Sequence, residues 1–138
     1  MTDKQYEKIT VNLPVVDLGK IDYLVEQGFY NTRTEFIRTS IKSEIDKNSF
    51  AINRVIQVED SKEGTFFSVG VISLNKSDLE RYVTKNKKVA IFVMGMCFIG
   101  KNVTVELASK TIKSFKVYGI KKGPKDVMDY LSKLGREL

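Results

Sequence analysis

Histidine is absent from the 138 residues. That removes the commonest metal ligand and the commonest general base. Cysteine is down to one, Cys97, so no internal disulfide can form, and a cytoplasmic home is expected. Cys97 sits in an apolar run and reads as a buried, inert thiol with no histidine to activate it. No stretch approaches the ~20 apolar residues that a membrane span needs. The opening Met-Thr-Asp-Lys-Gln-Tyr-Glu is polar and carries acids, so it does not read as a secretory signal. These absences leave no cofactor to expect and argue against an enzyme. Carboxylate pairs such as Glu59/Asp60 and Asp126/Asp129 fall where surface or helix N-terminal charges belong.

What the chain does have is positive charge, +6 overall, which favours an anionic partner such as nucleic acid. The charge is uneven. Met1 to Asn53 holds 7 basic and 8 acidic residues, and Arg54 to Leu138 holds 16 and 9. Either the few cations of the first segment are well placed, or the second segment also touches the anion. A solvated, soluble lysine surface accounts for the excess equally well.

One short stretch organises the first segment. Lys8-Ile9-Thr10-Val11-Asn12-Leu13 alternates polar and apolar without a break, the pattern of a strand with one wet face. Pro14 stops it and suits the first turn of a helix. Val16, Leu18, Ile21, Leu24 and Val25 then predict a helix over about Val15 to Gln27, with Gly28 as the left-handed residue that ends it. Phe29 and Tyr30 are expected to fill a small core. Thr32-Arg33-Thr34-Glu35 reads as a capping box, with Asn31 a competing cap, opening a second helix that ends near Lys47 or Asn48. A lone strand ahead of two helices leaves its backbone groups unpaired, which is costly when buried. Pairing with the same strand of a second chain solves this, so an obligate homodimer is expected.

Lys8 to Pro14, Leu18, Ile21, Leu24, Gly28, Phe29, Tyr30 and the run Thr32 to Arg38 arrive in an order and spacing that resembles the ribbon-helix-helix family of DNA-binding proteins, the Arc, MetJ and CopG group. The resemblance covers about the first third of the chain. It implies that a two-stranded ribbon enters the major groove of double-stranded DNA, with Lys8, Thr10 and Asn12 reading bases. It implies too that Asn31, Thr32 and Arg33, at a helix N-terminus, hold phosphate. Metal sensing, found in some relatives with histidine- and cysteine-rich second domains, is not carried over.

Beyond the first domain (residues 1–50), Ser49 to Asn53 reads as a linker and 54–138 as a second domain of alternating strands and helices. Arg54 to Glu59, Thr65 to Leu74, Val89 to Ile99 and Phe115 to Ile120 look like strands. Ser61 to Gly64 looks like a turn. Ser77 to Asn86 (capped by Ser77 or Asn75), Val103 to Ile112 and Pro124 to Leu134 look helical. Gly95-Met96 through Leu107 aligns with Gly119-Ile120 through Leu131 at a shift of 24 residues, and Gly70-Val71 fits with a one-residue slip. The whole is α+β, its second part either a short β/α solenoid or an ordinary α+β domain. Gly95 to Asn102 nearly spells a phosphate-binding loop, but Asn102 stands where magnesium binding needs Ser or Thr, and the middle residues read as strand. Lys110, Lys113, Lys116, Lys121, Lys122 and Lys125 could share an edge if the repeat holds.

The function expected is a cytoplasmic, homodimeric, sequence-specific regulator of transcription, a repressor occupying an operator, with the second domain for higher assembly or partner binding. Rival readings are an antitoxin whose C-terminal domain binds a toxin protein, and a plasmid or phage segregation or architectural protein.

Overall fold

The computed structural model describes residues 5–134. The chain divides into two compact units between Val55 and Ile56. Among the described residues, six helices and three strands follow one another: α1 (Val15–Glu26), α2 (Arg33–Lys47), α3 (Ser49–Ser61), β1 (Thr65–Leu74), α4 (Lys76–Thr84), β2 (Val89–Ile99), α5 (Val105–Thr111), β3 (Ile112–Lys122) and α6 (Lys125–Leu134). The fold is mixed α+β, helices first and then a three-stranded parallel sheet with interleaved helices.

In the first unit, Pro14 caps α1 at the expected place, and its carbonyl accepts the Leu18 N–H. The helix closes as the glycine requires: Gly28 takes φ +86°, its N–H donates to Val25 O, and Phe29 N–H donates to Leu24 O. That pair of bonds is a Schellman cap, which satisfies carbonyls the helix end would orphan. Tyr30 packs edge-on against Phe36, ring centroids 4.9 Å apart. Phe29, expected in the core, is instead 70% exposed. Among the described residues of this unit only Ile21 is fully buried. Two helices expose too little apolar surface to each other to enclose a core, so the small core foreseen for Phe29 does not close within one protomer.

Two expectations around residue 50 are overturned. Ser49 to Asn53 is not a linker, and Arg54 to Glu59 is not a strand; both lie in α3. Ile52, Val55, Ile56 and Glu59 are half-buried at helical spacing. The β-branched run Val55-Ile56 and the alternation through Val58 suggested a strand, but the burial period is 3.6, not 2.

The second unit keeps the expected elements with shifted ends. Asn75, not Ser77, caps α4, in a capping box with Asp78. Helix α5 is shorter than expected, and β3 starts at Ile112 with no intervening loop, because Thr111 and Ile112 are both drawn into the core. The sheet order is β1-β2-β3. Gly70 pairs with Gly95 and Gly95 with Gly119, so the glycines of the internal repeat stand side by side across the sheet. All three have φ between +120° and +137°. Lys113 is the extra residue of a bulge opposite Val89 and Ala90.

Alternation divides the sheet into two faces. Val89, Ile91, Val93, Cys97 and Ile99 of β2 join Leu79 of α4, Ala108 of α5 and Val127 and Leu131 of α6 in one core. The helices therefore cover this face.

A Cβ built on Gly95 would overlap the Gly70 carbonyl, and one on Gly119 the Gly95 carbonyl. Gly95→Ala should therefore destabilise the second unit by on the order of 3 kcal/mol, from strained φ and overpacking together. Urea unfolding followed by circular dichroism reads this; an unchanged midpoint would contradict the glycine stack.

Candidate nucleic-acid interface

The segment Lys8 to Leu13 belongs to no helix or strand in the single chain. Lys8, Thr10 and Asn12 are exposed there. So are the side chains between them: Ile9 is 72% exposed, Val11 67% and Leu13 43%. Apolar residues at alternate positions, next to a proline-started helix, are thus left uncovered. The polar triplet thus sits on the only segment of the first unit, among the described residues, that is neither helix nor inter-helix turn.

The second cluster is assembled at the N-terminus of α2. Thr32 is the N-cap, and its hydroxyl oxygen accepts the Glu35 N–H at 3.0 Å. The Glu35 carboxylate accepts the Asn31 N–H at 2.6 Å. Thr32, not Asn31, is thus the cap, and only its half of the expected capping box forms: Glu35 takes the N–H of Asn31 in place of that of Thr32. Helix geometry leaves the N–H groups of Arg33 and Thr34 without an intrahelical acceptor, pointing along the positive end of the helix dipole. Such a helix end favours an anion.

Arg33 is held. Its Nε donates to Asp22 Oδ1 at 2.7 Å and one terminal amino nitrogen donates to Oδ2 at 2.8 Å, a bidentate pair joining α1 to α2. The hydrogen bond from Arg33, and then its charge, hold the Asp22 carboxyl below its ordinary pKa, and the Arg33 value is raised in turn. The pair therefore persists to lower pH than an unpartnered aspartate would allow, and is lost as the pH falls through the lowered value. Both partners are about half exposed, so salt screens the pair strongly. Asp22 carries no signal in the sequence. It lies eleven residues from Arg33, and only the helix pairing brings them together. Arg38 of α2 is a further cation here, 5.4 Å from the centre of the Tyr6 ring. From its sequence Met1 to Tyr6 reads as a flexible arm, of which residues 1–4 lie outside the described residues.

The second unit offers less chemistry. Gly95 to Ile99 of the phosphate-loop lookalike are strand β2, whose backbone is committed to the sheet and cannot wrap a phosphate. Cys97 is fully buried, and burial pushes its thiol up to about 11, which leaves it unreactive at neutral pH. Of the six lysines, Lys113, Lys116, Lys121 and Lys122 do share β3, an edge strand of the sheet. Charged edge strands resist edge-to-edge pairing, a purely structural use of the same residues. Lys110 pairs with Glu106 on α5 at 3.0 Å.

Neither the curated proteins nor the solved structures return a match to this chain. A family model does: the Ribbon-Helix-Helix transcriptional regulator family, over residues 4–128. The match spans both units, so the sheet-bearing half belongs to the family's pattern as the helical half does. With its exposed alternating segment, its proline-started first helix and its capped second helix, the chain belongs to the ribbon-helix-helix family of DNA-binding, non-enzymatic transcriptional regulators.

Proposed function

We propose that this regulator is a homodimeric repressor that binds a two-fold operator through a ribbon made from residues 8–13 of two chains. The observation that carries the reading is the uncovered apolar triplet Ile9, Val11 and Leu13, alternating with Lys8, Thr10 and Asn12. Pairing two such strands antiparallel satisfies their backbone groups and turns the apolar triplets onto the helices. The uncovered Ile37, Ile41 and Ile45 of α2 support the same dimer. Lys8, Thr10 and Asn12 then face the major groove as base readers: lysine suits guanine, and asparagine pairs bidentately with adenine. Asn31, Thr32 and Arg33 hold a phosphate at the α2 N-terminus, Arg33 by leaving Asp22. Residues 1–50 form the dimerising reader in this scheme. The sheet domain serves assembly. Its β–turn–helix units, with Gly70, Gly95 and Gly119 in register, support reading it as a three-rung β/α stack, a short solenoid in kind. The lone buried thiol suits the cytoplasm.

Asn12→Ala should cost about 1–3 kcal/mol at the cognate site and relax one base position. Binding measured on the operator and on single-base variants reads this; an equal loss on all sequences would contradict base reading. Asp22→Asn should act in the opposite sense. It releases Arg33, tightens binding to all duplexes alike, and steepens the dependence of log affinity on log salt by about 1. A salt titration with an unchanged slope would remove Arg33 from the phosphate contacts.

A further inference from the structure

Helices α4, α5 and α6 join the sheet's core on one face. The sheet's other face carries Phe67, Val69 and Val71 from β1, Phe92 and Met96 from β2, and Tyr118 from β3. Val69, Val71 and Tyr118, on the two outer strands, are 61%, 49% and 51% exposed, while Phe92 and Met96 of the central strand are buried among their neighbours. None of these six belongs to the core beneath the helices. A contiguous apolar face of this kind marks an interaction surface. The side chains that alternation places there include Lys116 and Lys122 on β3 and no carboxylate.

We propose that this face packs against the same face of a second copy of the chain. The proposal rests on the ribbon dimer above for the nearness of copies, and its partner follows from area and charge. Three strands of ten or so residues present roughly 500 Å² of face, so two stacked faces bury about 1,000 Å² in all. That is at the lower limit for free proteins but ample for copies already joined through another interface, where the effective concentration is in the millimolar range. The charges fix the orientation. A two-fold axis along the strands lays β1 of one copy over β3 of the other, so that Tyr118 and Ile120 cover Val69 and Val71, while the stems of Lys116 and Lys122 lie over Phe67 and Ser73 and their ammonium groups reach water. An axis across the strands would set the two lysine-bearing strands together. A single-stranded nucleic acid fits less well. The rings of Phe67, Phe92 and Tyr118 lie against one another, centroids 5.7 and 5.6 Å apart, and occupy the surfaces on which bases would stack. The most exposed apolar residue of the face is the aliphatic Val69.

Two measurements on the full-length chain test this. First, Met94→Cys puts a thiol on the central strand of the face, where Cys97 is buried and inert. A bis-maleimide spanning about 10 Å, the spacing of stacked sheets, should join two copies, and Val71→Glu should abolish the cross-link. Second, sedimentation separates the two interfaces. Val11→Glu disrupts the ribbon and Val71→Glu the sheet face; both side chains are exposed in the protomer, and circular dichroism checks that each variant folds. Val11→Glu should still dimerise reversibly at hundreds of micromolar, and adding Val71→Glu should weaken that association at least about a hundredfold. No cross-link, together with a Val11→Glu protein as monomeric as the double variant, would overturn the sheet pairing and leave the ribbon intact. Monomers from Val71→Glu alone would uphold the sheet pairing and remove the ribbon. Capture of a single-stranded oligonucleotide by monomeric Val11→Glu protein, lost on Tyr118→Ala, would overturn the proposal in favour of a nucleic-acid platform.

Discussion

Between Lys8 and Leu13 the backbone has no ladder partner among the described residues, and the apolar side chains it carries are uncovered. An unpaired donor or acceptor costs little in water and a good deal once buried. Burying Ile9, Val11 and Leu13 therefore requires that their own peptide groups be paired in the same event. The helices cannot do this, since their hydrogen bonds close within each helix. A second strand can. In the proposed dimer, this coupling of hydrogen bonding and burial accounts for a first unit that, among the described residues, buries only Ile21 by itself and leaves Phe29 and the α2 isoleucines in water. In that proposal it ties reading to dimerisation as well: on a strand, the same alternation that sends three apolar residues inward sends Lys8, Thr10 and Asn12 outward.

The second unit meets the opposite condition. Its parallel strands pair within the chain, with three glycines aligned across them: a Cβ on Gly95 or Gly119 would meet the carbonyl of the neighbouring strand, and Gly70 takes a φ of +137°. Parallel sheets are ordinarily covered on both faces. Here the helices cover one, and Val69, Val71 and Tyr118 remain on the other. Both halves of the molecule thus present apolar surface that one protomer leaves unfilled.

Local chemistry was legible before the structure. Pro14, Gly28, Thr32 and Glu35 each act through their nearest neighbours in the chain, and the ends of α1 and α2 fall where those residues put them. Strands β1 and β2 were legible end to end because their apolar runs are bounded by turn residues. Helix α3 was not, because β-branched residues and a two-residue alternation imitate a strand until burial decides the period. Of the candidate site, Thr32 as the cap could be read. The Asp22–Arg33 pair could not, since it depends on how two helices lie together. The aromatic row across the open sheet face was likewise invisible, for Phe67, Phe92 and Tyr118 meet only through strand register.

The most direct measurement of the central claim is amide hydrogen exchange over residues 8–13 in the intact protein without DNA. Paired antiparallel strands should protect alternate amides of this segment, with the protection falling as dilution dissociates the dimer. Exchange of all these amides at the rate of an unstructured peptide, at concentrations where the protein is dimeric, would mean that the chains associate without a ribbon, and the account of DNA reading built on it would fail.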